Sequence, residues 1–269
     1  MTGMTSLLQV TYNSRALGGL PTADGGVVAS GILYRSDALS TLNEAGLQAL
    51  SDQRIGTIID LRTDGERARA ADLLPSDGSV RLVPLPVQGG AMDEMVQKLL
   101  PSSEDAGLSE DQISALAETV PTLEDLYVAI LGSSATQFVE LGRAVVAASG
   151  SARPGVLFHC TAGKDRTGIA AALLLLVADV SRDEIVEDYT QTGGNLAGGF
   201  AESLTALITS LGVPLTPRLK TLATESPASA IEAALDWISS EHGDVTGYLR
   251  TGGMTPDEID GLKRVLRGA

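Results

Sequence analysis

At 269 residues, with 43% apolar and 3% aromatic content, the chain can bury a globular core built mainly of leucine, valine and alanine. Its net charge of −15 excludes sequence-independent nucleic-acid binding and general docking on an anionic membrane, both of which need cations against phosphates. One cysteine, Cys160, and two histidines, His159 and His242, exclude an intramolecular disulfide and a multi-cysteine zinc centre, so no metal is expected.

No Lys or Arg precedes Arg15, and no continuous apolar run follows the first methionine. A signal peptide is therefore not read, and a cytoplasmic location is expected, with export by a route needing no signal peptide left open. "GILYRS" (31–36) reads as a strand, and "TLNEAGLQALSDQR" (41–54) as a helix opened by a capping box of Thr41 and Glu44. "IGTIIDLR" (55–62) and "VRLVPLP" (80–86) read as further strands, the first ending in Asp60 and Arg62. These two sit where α/β sheets present functional groups, and an ion pair bracing a loop is the alternative. Residues 88–121 are acidic, interrupted by Pro101, and carry two short amphipathic patterns. They read as an exposed insertion or as a cover over a site. Tyr127 follows in an amphipathic pattern, either lining a pocket or simply packing. "GVLFH" (155–159) is a fourth strand. The longest apolar stretch, Ile169–Val177, falls far short of the roughly 20 residues that span a bilayer, and reads as a buried helix. Capping signatures recur at Ser181–Glu184, Ser229–Glu232 and Thr255–Glu258, the last with Pro256 at the first helical position. Strands separated by helices, then helices alone, predict an α/β core with a helical C-terminal part.

Between the fourth strand and the apolar helix lies "HCTAGKDRTG", residues 159–168. Cys160 and Arg166 are separated by Thr161, Ala162, Gly163, Lys164 and Asp165. A loop of that length at a helix N-terminus can curl around a tetrahedral oxyanion with its amides pointing inward. Arg166 can close the cradle with a planar fork, and Gly163 lets the backbone turn where a side chain would collide. The same positive field favours a thiolate at Cys160, the nucleophilic form. Thr167 can donate to that thiolate or to a departing sulfur, and His159 is expected to support the loop through ring hydrogen bonds. An inert cysteine at a strand end would need none of these neighbours.

This loop resembles the signature of bacterial cysteine-dependent protein tyrosine phosphatases, in the branch typified by a mycobacterial secreted member with tyrosine, dual-specificity and phosphoinositide activity. "NSRALGG" (13–19) is similar to the branch's N-F-R-D-x-G-G opening, with Ser14 and Ala16 in place of Phe and Asp. "LYRSDALS" (33–40), "DLRTDGE" (60–66), "DYTQTGGN" (188–195) and "GYLRTGGMTPDEIDGLKRVL" (247–266) extend the likeness along the chain. The resemblance implies one phosphatase domain over 1–269, with a mostly parallel central sheet flanked by helices and a helical lid at 88–121. It implies cofactor-independent hydrolysis of phosphomonoesters through a cysteinyl-phosphate on Cys160, with phosphotyrosine proteins, phosphoinositides or both as substrates. Lys164 adds a second cation to the loop, suited to a second phosphate, or else points to solvent and balances Asp165. Val87 stands where the branch often carries an acidic residue, which leaves Asp165 as the best-placed proton donor, or else as a structural carboxylate that accepts backbone N–H bonds or pairs with Lys164. Asp93 and Glu94 lie nearby in a charged helical stretch that reads as solvated surface. A silent module that binds phosphorylated partners is the alternative, and the intact Cys160, Arg166 and Thr167 count against it.

Overall fold

The computed structural model describes residues 6–89, 120–210 and 215–269. The lid expected at 88–121 lies outside the described residues apart from its two positions at either end, as do Asp93 and Glu94.

Among the described residues five strands form one sheet: β1 (Arg15–Ala16), β2 (Leu33–Ser36), β3 (Ile55–Asp60), β4 (Arg81–Pro84) and β5 (Gly155–His159), in the order β1-β2-β5-β3-β4. β1 runs antiparallel to β2 and every other pairing is parallel. The four longer strands coincide with the four apolar runs of the sequence. β1 escapes such a reading because two residues carry no periodicity. Parallel neighbours need crossovers. Helix α1 (Glu44–Asp52) links β2 to β3 and α2 (Asp64–Arg69) links β3 to β4. Helices α3 (Leu123–Ser133) and α4 (Ala135–Ser149) precede β5. All of β5 is buried, as befits a central parallel strand covered on both faces. Its side chains alternate between two cores: Val156 and Phe158 enter the larger, and Leu157 joins Tyr34, Leu50 and Ile58 in the smaller.

Seven helices follow among the described residues: α5 (Asp165–Val177), α6 (Arg182–Leu196), α7 (Gly199–Ser210), α8 (Pro217–Thr224), α9 (Ala228–His242), α10 (Val245–Thr251) and α11 (Pro256–Arg267). α5 is buried on nearly every face, as its uninterrupted apolar run requires. Each of its leucines withdrawn from water contributes about 1.5–3 kcal/mol. No helix among the described residues is long and apolar enough to cross a membrane.

The caps refine the sequence reading. Ser181 accepts from the Glu184 amide, and Thr255 and Glu258 cap one another reciprocally. The first helix starts at Asn43 rather than Thr41, because the Asn43 side chain accepts from the Gly46 amide. α9 begins after Pro227, so Ser229 lies within it and donates instead to Glu124 at 2.6 Å. A further reciprocal box, Thr63 with Glu66, opens α2.

Candidate active site

β5 ends at His159 in the middle of the sheet, and α5 begins at Asp165, so residues 160–164 cross the carboxyl ends of the strands. Four successive carbonyls of this loop are tied to donors outside it. Cys160 O accepts from His159 Nδ1 at 3.1 Å and Thr161 O from the Ala38 amide at 3.0 Å. Asn13 Nδ2 reaches Ala162 O at 3.4 Å and Gly163 O at 2.8 Å, and Arg35 Nη2 also reaches Gly163 O at 2.8 Å. In a trans peptide the N–H points opposite to the C=O. Pinning the carbonyls outward therefore turns the amides of residues 161–164 the other way, at the positive end of α5. Gly163 has φ +64°, and a Cβ there would lie 2.5 Å from Ser36 O, so glycine is required.

Cys160, at one end of the loop, is only 2% exposed. Arg166, at the other, grips Glu66 with both terminal nitrogens, Nη1 to Oε2 and Nη2 to Oε1, each at 2.6 Å. Thr161 Oγ1 donates to the same carboxylate at 2.5 Å. Burial alone would raise the Glu66 pKa, but the hydrogen bonds and charge of Arg166 outweigh it and hold the carboxyl far below its ordinary range. Val87 is a core residue whose carbonyl lies 3.4 Å from Arg166 Nη1. The position where the resemblance leads one to look for an acid thus adjoins Arg166 but carries no carboxylate. Thr167 Oγ1 is buried with no hydrogen-bond partner among the described residues.

Behind the loop, Arg62 binds Asp60 through Nε at 2.9 Å and through Nη2 at 2.8 Å, and Nη2 also reaches Asp72 at 2.8 Å. Asp72 meets His159 Nε2 at 3.1 Å. Burial opposes a charged His159, yet the Asp72 hydrogen bond and the Asp72 and Asp60 charges prevail, so its pKa is raised. Ligand atoms of Asp60, Asp72 and His159 lie within 4.8 Å of one another, but Arg62 already matches their charge. The Asp60–Arg62 pair thus reaches His159 through Asp72, and His159 Nδ1 in turn holds Cys160 O.

On the other side, Asp188 joins Arg15 Nε at 2.7 Å and Arg35 Nη1 at 2.5 Å. Burial and the neighbouring Arg35 lower the Arg15 pKa to about 10 against the pull of Asp188. Burial raises that of Asp188 less than the two arginines depress it. Asn195 and Arg15 both donate to Asn13 Oδ1, fixing the amide that pulls on the loop. Lys164 is buried rather than turned to solvent. Its ammonium donates to the carbonyls of Leu222 at 2.6 Å and Glu225 at 3.1 Å, capping the end of α8, and lies 3.4 Å from Asp165 Oδ1. Tyr127, more than packing, donates to Asp165 Oδ1 at 2.8 Å.

Sequence reasoning passed over Glu66, Asp72, Asn13, Arg35 and Asp188. Asn13, Arg35 and Asp188 stood inside the similar segments with no role attached. Glu66 carried a legible signal, the third residue after Thr63 in a capping pattern.

The tyrosine phosphatase family model matches residues 7–268. The chain belongs to that family. A tyrosine-protein phosphatase of Nostoc commune is 31% identical over 252 residues, covering 90% of this chain and 76% of that one. The triple specificity protein phosphatase PtpB of Mycobacterium tuberculosis is 30% identical over 257 residues, covering 88% and 91%. The crystal structure of P. aeruginosa TpbA aligns over 85% of this chain and 90% of its own, at 16% identity and a TM-score of 0.35. The family match places the loop at 159–168 inside a phosphatase sequence, as its residues led one to expect.

Proposed function

We propose that this single domain hydrolyses phosphomonoesters without a metal, through a cysteinyl-phosphate on Cys160, with phosphotyrosine in proteins as its substrate class. The observation that carries this reading is the outward pinning of four loop carbonyls between Cys160 and Arg166. Such a loop supplies preorganised amides to the equatorial oxygens of a transferring phosphoryl group. A guanidinium has five donors, so an Arg166 holding Glu66 can also hold phosphate oxygens. Sγ of Cys160 attacks phosphorus in line as the P–O bond to the leaving oxygen breaks, and an acid delivers a proton to that oxygen. Asp165, at the first turn of α5 beside the loop, is the acid we assign. Water then attacks the phosphorus, releasing inorganic phosphate and restoring the thiolate, with Thr167 Oγ1 available to stabilise the departing sulfur.

Phosphoinositides are the second class that the resemblance implies. Lys164 gives that class little support, since its ammonium is committed to the end of α8. The deciding experiment assays a phosphotyrosine peptide and phosphoinositides in excess chelator with wild type and Cys160→Ser. Chelator-insensitive release of phosphate from the peptide, abolished in Cys160→Ser while vanadate still binds, is expected. Wild-type binding without turnover would make the chain a silent phosphate-binding module, and residual activity in the variant would overturn Cys160 as nucleophile.

A further inference from the structure

Tyr127 on α3 and Tyr189 on α6 meet at the start of α5. Their rings are edge to face, 5.9 Å apart at 88°, and their hydroxyl oxygens are 2.7 Å apart. Both are buried, and phenylalanine would fill the same space. Burying a hydroxyl is costly unless it is satisfied, so these two hydroxyls call for an explanation. They lead to Asp165, whose Oδ1 accepts from Tyr127 at 2.8 Å. An ionised carboxylate only accepts, so with Asp165 charged the chain must run from Tyr189 to Tyr127 to Asp165. When Asp165 carries a proton while Tyr127 still donates to Oδ1, the proton is favoured on Oδ2, because the unprotonated carbonyl oxygen is the better acceptor.

We infer that Tyr127 is a positioning residue for proton transfer: it holds Oδ1 as an acceptor and so makes Oδ2 the oxygen from which Asp165 protonates the leaving group. Tyr189 supports it by donating to the Tyr127 oxygen. Lys164, 3.4 Å from the same Oδ1, is itself held by α8 and adds to the fixing of that oxygen. The inference rests on the assignment of Asp165 as the acid. It explains why a residue on α3, thirty-eight positions before Asp165, needs a hydroxyl.

The test uses a series of aryl phosphates from nitrophenyl to phenyl, whose leaving oxygens need a proton increasingly as they become more basic. Tyr127→Phe is expected to lower kcat about tenfold on phenyl phosphate and about twofold on nitrophenyl phosphate, with KM held, since a misplaced acid costs most where the proton matters. Asp165→Asn should show the same leaving-group dependence more strongly, and adding Tyr127→Phe to it should cost nothing further. Tyr189→Phe, one bond more remote, should follow the Tyr127 pattern at smaller amplitude. Equal losses on all esters in Tyr127→Phe, or full additivity with Asp165→Asn, would overturn the positioning role while leaving Asp165 as acid. Equal losses in Asp165→Asn alone would overturn that assignment and the inference with it.

Discussion

Glu66→Gln is the substitution by which the arginine end of the site can be weighed. Gln keeps the size of the side chain and one oxygen, but it removes the charge and turns the other acceptor into a donor. In the structure that carboxylate accepts two bonds of 2.6 Å from Arg166, one of 2.5 Å from Thr161 and one of 2.8 Å from the Thr63 amide. Breaking a buried ion pair costs about 3–5 kcal/mol, because the surviving charge is left without its partner. Each hydrogen bond to a charged group is worth about 1.5–3 kcal/mol, and Gln retains one of the two to Arg166. A net loss of about 1–3 kcal/mol follows, an appreciable part of the roughly 5–15 kcal/mol that holds a domain together. Urea unfolding should show it as a lower midpoint at unchanged slope. The effect also carries a pH signature. The folded-state pKa of Glu66 is depressed from an ordinary value of 4.5, so the stabilisation is full above that value and falls away as the pH drops below it. The gap between wild type and variant should therefore narrow from neutral pH toward pH 3. A variant within about 0.5 kcal/mol of wild type, the range of an indifferent surface change, would refute the reasoning. So would a gap that does not change with pH.

Lys164→Met should lower the unfolding midpoint by loosening α8 while leaving relative rates on singly and multiply phosphorylated esters unchanged; a selective loss on the latter would instead show Lys164 binding a second phosphate. His159, whose folded pKa is raised above 6.5, stabilises the fold below that value and less as the pH rises through the folded one. The melting temperature should accordingly fall as pH rises from about 6.5, and His159→Gln should flatten that slope; an unaltered slope would disprove the imidazolium–Asp72 pairing.

Periodicity found the strands because β2, β3 and β5 are buried, and burial leaves apolar runs. The loop at 160–166 was legible because its residues are local: cysteine, turn residue and arginine all lie within one turn of backbone and one helix start. What surrounds it was not legible, because spacing along the chain carries no trace of partners far away in it. Asp188 is 173 residues from Arg15, and Asn13 is 150 from Gly163. The partners of Lys164 are likewise distant, carbonyls at 222 and 225 that no side-chain pattern announces. At Thr41 two capping residues competed within three positions, and the structure selects Asn43.

The bracket on the loop carbonyls also sets an order of assembly. Asn13, Arg15 and Arg35 leave a ribosome early, yet Arg15 and Arg35 repel each other until Asp188 joins them. Cys160 and Arg166 are already made by then, but Gly163 O has no settled donors before Asp188 and Asn195 lock Arg35 and Asn13 in place. A nascent chain that stops short of α6 therefore carries the whole signature sequence without the cradle. The loop takes its shape only when α6 docks, so the N-terminal two-thirds of the chain holds the loop's sequence without the donors that set its form.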